Sequence, residues 1–320
     1  MSLRTLLPLL ILFAAGPALG AGASPAEKSE LISAIASGSR PEVNRAIERI
    51  KYLGSPRELM QAIEQMLEAG STGTRRNAAF ALRFLAAKKQ TGALVRALDD
   101  EDDLVREYAC VALGALRAQE AVKPLSALTK DRSPVVRREA VAALGAIGSK
   151  AAVKPALALL EDEVLATRLA AILALGKLQD GRAAAKLTAL LKDGSETTRL
   201  AAAKSLCMLG NAEGRAVADK LLRSTEPTER RDGIRLIEEV KAAWASKALL
   251  DRLEDGDRGT AIAAAVALSK QGDGRGVQWL VLKAETAEVE DRLRLETAIE
   301  GLGLSSADRK KILALGKKSK

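Results

Sequence analysis

Asp131-Arg132-Ser133-Pro134-Val135-Val136-Arg137-Arg138-Glu139-Ala140-Val141-Ala142-Ala143-Leu144-Gly145 is a turn followed by a helix start, and its pattern returns along the chain at a fixed step of 31 residues. Arg137 belongs to the series Arg75, Arg106, Arg137, Arg168, Arg199 and Arg230, continued in register by Ala261 and Arg292. Asp131 belongs to a second column, Asp100, Asp131, Asp162, Asp193 and Asp255, with Ser224 filling its gap. Leu144 has counterparts at Leu82, Leu113, Leu175, Leu206 and Leu268, and Ala140 at Ala78, Ala109, Ala171, Ala202 and Ala264. Gly114, Gly145 and Gly176 form a third motif column, and Pro124 and Pro155 a short one. A fixed period of about 20–50 residues marks a solenoid of stacked supersecondary units.

Each unit reads as two helices. In residues 120–148, Leu125 and Leu128 sit at helical spacing in the first half. Pro124 is tolerable in a first turn, where the backbone N–H has no intrahelical partner. Asp131-Arg132-Ser133-Pro134 then turns the chain and starts the second helix. Val136, Ala140, Val141, Leu144 and Ile147 share one face of it. Gly145 marks close packing and Gly148 the helix end. One antiparallel pair cannot bury its apolar stripe alone, whereas a stack can. Hydrophobic residues make up 48% of the chain but aromatics only 2%, so Ala and Leu must fill the core.

The motif Asp-x5-Arg-x2-Ala-x3-Leu-Gly, carried by Asp131, Arg137, Ala140, Leu144 and Gly145, resembles a HEAT repeat of the short type also seen in phycobilin-lyase-like proteins. Pro124 matches the first-helix proline of that family. The resemblance spans roughly residues 30–304 and is strongest in the middle four units. It implies an all-α fold, a right-handed α-solenoid of about eight to nine helix pairs, whose second helices line a concave surface. It also implies that Asp100, Arg106, Asp131, Arg137, Asp162, Arg168, Asp193 and Arg199 form a ladder of hydrogen-bonded ion pairs between neighbouring turns. Ala261 in the arginine column and five glycines between 256 and 276 read either as neutral drift of the repeat or as a softer joint there.

The termini read differently. Residues 1–23 have the composition of a secretory leader: Arg4, an apolar run from Leu6 to Ala15, then small-residue cleavage sites ending at Gly20 or Ala23. The run holds Pro8 and is shorter than the roughly 20 residues a membrane span needs. A periplasmic or secreted location follows as the expectation, with residues 24–304 forming the solenoid. Residues 305–320 are expected to supply a capping helix and a basic tail. That tail holds Arg309, Lys310, Lys311, Lys317, Lys318 and Lys320 against one acid, Asp308. Much of the net charge of +9 therefore sits there rather than over the body, which argues against a nucleic-acid surface. Weak contact with an anionic surface through the lysines is the functional alternative for the tail.

The chain has no histidine, which removes the commonest general base and metal ligand. No P-loop or Rossmann fingerprint is present; Gly272, Gly274 and Gly276 follow no strand. Cys110 and Cys207 fall in second helices three repeats apart, too far for a disulfide, and are expected to be buried thiols. No catalytic residue, cofactor or metal site is assigned.

The expectation is a non-enzymatic exported scaffold or adaptor that binds a protein on its concave surface. The alternative is an accessory or chaperone-like subunit of an enzyme of the cell envelope. The candidate contact residues are Arg76, Phe80, Arg83, Phe84 and Tyr108. They gather aromatic and arginine anchors, which dominate interface energetics, in a chain poor in aromatics. Burial of Phe80 and Phe84 in the core is the competing reading.

Overall fold

The computed structural model describes residues 23–85 and 88–303. The expected leader up to residue 22 and the expected cap and tail from residue 304 lie outside the described residues. Among the described residues there are 18 α-helices and no strand. They pair as an all-α solenoid, and chain contacts divide them into two compact units with a boundary after Ala118.

The first unit holds α1 (Pro25–Ser37), α2 (Arg40–Tyr52), α3 (Arg57–Ala69), α4 (Thr72–Leu85), α5 (Thr91–Ala97) and α6 (Asp103–Ala115). The second holds α7 (Val122–Leu128), α8 (Pro134–Ile147), α9 (Val153–Ala158), α10 (Leu165–Leu178), α11 (Ala184–Leu190) and α12 (Glu196–Met208). It continues with α13 (Ala212–Leu222), α14 (Pro227–Ile237), α15 (Ala243–Asp251), α16 (Arg258–Lys270), α17 (Gly274–Thr286) and α18 (Val289–Gly301). Pro124 and Pro155 each occupy the third residue of a short first helix, α7 and α9, where no backbone donor is lost. Pro134 opens α8, and Gly148 ends it at φ +79°, a left-handed cap that favours glycine.

The packed face of each second helix is the one its alanines and leucines define. Val136, Ala140, Val141, Leu144 and Ile147 are all buried. The glycine column exists because consecutive second helices touch. A Cβ on Gly145 would lie 2.8 Å from the Ala174 Cα, and one on Gly176 would lie 2.8 Å from the Ser205 Cα. Gly276, inside the stretch expected to be soft, is a packing residue too, since its Cβ would stand 2.3 Å from the Ala265 carbonyl oxygen.

The arginine and aspartate columns do three jobs. Each aspartate first closes its own turn: Oδ1 of Asp100, Asp131, Asp162, Asp193 and Asp255 accepts the backbone N–H two residues on, at 2.8–3.0 Å. Each arginine then pins the same turn from behind. Nη1 of Arg106, Arg137, Arg168, Arg199 and Arg230 donates to the carbonyl six residues earlier at 2.7–3.0 Å. Finally, the guanidinium reaches forward to the aspartate 25 residues ahead, in the next repeat. Arg75 grips Asp100, Arg137 grips Asp162 and Arg230 grips Asp255, each through Nε and Nη2. The Arg137 hydrogen bond and charge hold the Asp162 carboxyl below its ordinary range. Burial pushes Asp255 up, but Arg230 and the Asp257 N–H outweigh it and leave it lowered.

Two forward rungs are absent among the described residues. Arg168 makes no ion pair with Asp193, and a recess of about 340 Å³ opens beside both. Ahead of Arg199 the aspartate column holds Ser224, whose Oγ accepts the Glu226 N–H at 3.1 Å but carries no charge for an arginine.

Candidate functional site

In α4, small residues face inward: Ala78, Ala79, Ala81, Leu82 and Leu85 are buried. Arg76, Phe80 and Phe84, at steps of four, therefore share the opposite face, with Arg83 beside Phe84. Side chains of α2 and α6 meet this face. The Phe80 ring packs edge-on against Phe84 at 5.1 Å and against Tyr108 of α6 at 5.4 Å. The three rings differ in exposure: Tyr108 is 9% exposed, Phe80 is half-buried and Phe84 is 47% exposed. Phe80 and Tyr108 thus form a base, and Phe84 stands open above it.

The five candidate residues separate by role. Arg76 is committed to structure. Its guanidinium grips both oxygens of Asp102, with Nε at 2.9 and 3.0 Å, and Asp102 in turn caps α6 by accepting the Val105 N–H. That hydrogen bond to Arg76 holds the Asp102 carboxyl below its usual range. The second unit repeats the device with Arg231 on Asp257, the cap of α16. Arg83 instead lies exposed, its Cζ 5.4 Å from the Phe84 ring centroid.

Two cations that the 31-residue columns do not mark complete the surface. Arg40, at the start of α2, stacks its Cζ 3.8 Å above the Phe80 ring and 5.8 Å from Tyr108. Its Nη2 also donates to the Tyr108 hydroxyl at 3.4 Å. Lys51, at the other end of α2, sets Nζ 5.4 Å from Phe84. Beside it Tyr52 is 60% exposed, with the Arg49 guanidinium 5.0 Å from its ring. Cations over ring faces are attracted by the aromatic quadrupole, which fixes both partners in place.

Local hydrogen bonds explain why Arg40 arrives there. The Thr74 hydroxyl donates to the Ala36 carbonyl and the Asn77 amide to the Gly38 carbonyl, tying α4 to the last turn of α1 and its link to α2. Ser39 donates its N–H and hydroxyl to Glu42, fixing the first turn of α2. The only sequence signal for Arg40 is its place just after Ser39 and before Pro41, a helix start that no other repeat copies.

Elsewhere the chemistry is sparse. Among the described residues no group of three or more His, Cys, Asp or Glu side chains is placed to hold a metal. Cys110 and Cys207 are both buried, and neither is in a disulfide. Burial, aided by Asp219, pushes the Cys207 thiol up to about 12, the opposite of an activated nucleophile. No described helix is long and apolar enough to cross a membrane.

No curated protein matches the sequence. Among solved structures, human deoxyhypusine hydroxylase in complex with glycerol is similar at 21% identity, over 76% of this chain and 95% of its own, with a TM-score of 0.35. The complex of CpcE and CpcF of phycocyanin lyase from Nostoc sp. PCC7120 is similar at 19% identity, over 90% of this chain and 98% of its own, with a TM-score of 0.41. An engineered protein is similar at 20% identity, over 86% and 88% of the two chains, with a TM-score of 0.45. A sequence profile described as HEAT repeats matches residues 59–132 and 122–207. Those matches cover the repeats in which the arginine, aspartate and glycine columns are most regular, and over residues 59–207 the chain carries HEAT repeats.

Proposed function

We propose that this protein is an exported, non-enzymatic scaffold or adaptor, and that it binds a protein partner on the second-helix face of its first unit. The observation that carries the reading is Phe84, 47% exposed and flanked by Lys51 and Arg83 on a helix whose small residues already fill the core. Large apolar side chains left open beside arginines are the usual anchors of protein interfaces. The absence of histidine from the sequence and the buried, unreactive setting of Cys207 support a binding role over catalysis.

Purified protein used as bait against an envelope extract tests the reading, with Phe84→Ala as the matched control. A partner held by the wild type and released by a folded Phe84→Ala places the interface on this face. Equal capture by both baits moves it elsewhere. If the partner is an enzyme whose turnover rises on binding, the accessory-subunit reading takes over. Export rests on the composition of residues 1–23 and is tested by the mass of the protein recovered from cells. A chain beginning at Ala21 or Ser24 supports it, and an intact Met1 overturns it.

A further inference from the structure

The same face has a chemical preference beyond being a protein-binding surface. Arg40 is exposed, yet its guanidinium is held by the Phe80 ring on one side and by the Tyr108 hydroxyl at 3.4 Å. No carboxylate among the described residues lies within ion-pair distance of it, and the same holds for Arg83. The neighbouring arginines differ on this point: Arg49 bonds Glu27, Arg75 bonds Asp100 and Arg76 bonds Asp102. Stacking uses the flat face of a guanidinium, so beyond the Nη2 bond to Tyr108 its other in-plane N–H groups remain to donate to a carboxylate. A guanidinium already ordered in this way loses little freedom when an anion arrives.

We infer that Arg40, set on Phe80 and Tyr108, is a receptor for a carboxylate of the partner, and that the exposed Phe84 takes an apolar side chain of the same segment. The proposal rests on the protein-binding reading of this face. The partner is an acidic peptide segment in which Asp or Glu alternates with aliphatic residues. Charge complementarity carries the choice. Beside Phe84 and Phe80 stand Arg40 and Arg83 without an ion-pair partner, while Lys51 is held by Glu48 at 2.8 Å and Asp102 is closed in by Arg76. A basic segment would meet Arg40 and Arg83 as like charges beside the two rings.

The test is calorimetric titration of the purified protein with an acetylated dodecapeptide, Glu-Leu-Glu-Ala repeated three times. The controls are its Lys-Leu-Lys-Ala and Glu-Ala-Glu-Ala counterparts, and vesicles of phosphatidylcholine with and without phosphatidylserine. The Glu-Leu peptide is expected to bind, the Lys-Leu peptide to give no heat, and the Glu-Ala peptide to bind more weakly. Arg40→Gln and Arg40→Lys are both expected to weaken the Glu-Leu peptide by about tenfold, since lysine keeps the charge but not the planar fork. Phe84→Ala removes the preference for Glu-Leu over Glu-Ala. Arg40 and Phe84 are exposed, so these variants should keep the wild-type helix signal and melting temperature, which circular dichroism checks. Equal binding of acidic and basic peptides, no binding of the Glu-Leu peptide, or an unchanged affinity in Arg40→Gln overturns the inference. Vesicle binding that depends on Arg40 without peptide binding overturns it as well, in favour of a phospholipid headgroup. Loss of the envelope partner in Phe84→Ala alongside indifference to Arg40→Gln would leave the scaffold reading standing and this inference refuted.

Discussion

Asp162 shows what a single residue does in this fold. One carboxylate accepts the Val164 N–H of its own turn and both arms of Arg137 from the preceding repeat. Both side chains of the pair are largely buried. Removing one partner from such a pair strands the other, so Asp162→Asn is expected to cost about 1–3 kcal/mol at neutral pH. The sign with pH follows from the direction of the shift. Asp102, Asp162 and Asp255 are all held below their ordinary value, so their contribution is complete above it and is lost as pH falls through the lowered one. The melting temperature should be flat from about pH 7 to 5 and fall below about pH 4. The gap between wild type and Asp162→Asn should close over the same acid range. A gap that stays constant at low pH would mean that the ladder charge is not what Asp162 contributes. The columns themselves were legible in the sequence, and their pairing between neighbouring turns came from the family resemblance, not from the spacing. An arginine six residues after an aspartate looks placed to pair with it, yet it takes that residue's carbonyl and reaches the carboxylate one repeat ahead. Spacing along one chain cannot separate the two, because both arise from the same period.

At the scale of the helix, the glycine column sets how closely second helices approach. Gly176 on α10 faces Ser205 on α12, whose hydroxyl donates to the Ile172 carbonyl at 2.9 Å. Gly176→Ala would drive a methyl group into the Ser205 backbone. The expected net cost is about 1–2 kcal/mol, even after the gain in helix propensity. A Gly176→Ala, Ser205→Gly double variant should recover part of it, read as a coupling energy of at least about 0.5 kcal/mol by denaturant titration. The missing rung at Ser224 offers the reverse experiment. Ser224 already closes its turn as the column aspartates do, and Arg199 already pins its own turn through the Asp193 and Gly194 carbonyls. Ser224→Asp would give Arg199 the acceptor that Arg137 and Arg230 have, with an expected gain on the order of 1 kcal/mol. An unchanged or lower denaturation midpoint would show that this interface is spaced too widely for a rung. The candidate surface was only partly legible at this scale. Phe80, Phe84 and Tyr108 stand out in a chain with few aromatics, whereas Arg40 and Lys51 lie on α2, whose start matches no repeat column.

Over the whole molecule, stability is distributed along a stack, and repeat proteins open where neighbouring interfaces are weakest. The two buried thiols report on this without any added probe: Cys110 sits in α6 of the first unit and Cys207 in α12 of the second. The repeat that contains α12 lacks the rung from Arg168 behind it and the rung from Arg199 ahead of it. Cys207 packs with Ala203, Ala218 and Leu222 in the core that spans this weak stretch. Under rising denaturant in the presence of a thiol reagent, Cys207 should therefore label at a lower concentration than Cys110, with peptide mass spectrometry reading the two sites separately. Native protein without denaturant should label slowly at both, because the raised Cys207 thiol must be exposed before it ionises appreciably. Ser224→Asp should then delay labelling of Cys207 and leave Cys110 where it was, since its new rung lies in the second unit alone. Coincident labelling of both cysteines in one transition, unmoved by Ser224→Asp, would mean that the described chain opens as a single cooperative body and that the ladder gaps have no energetic consequence.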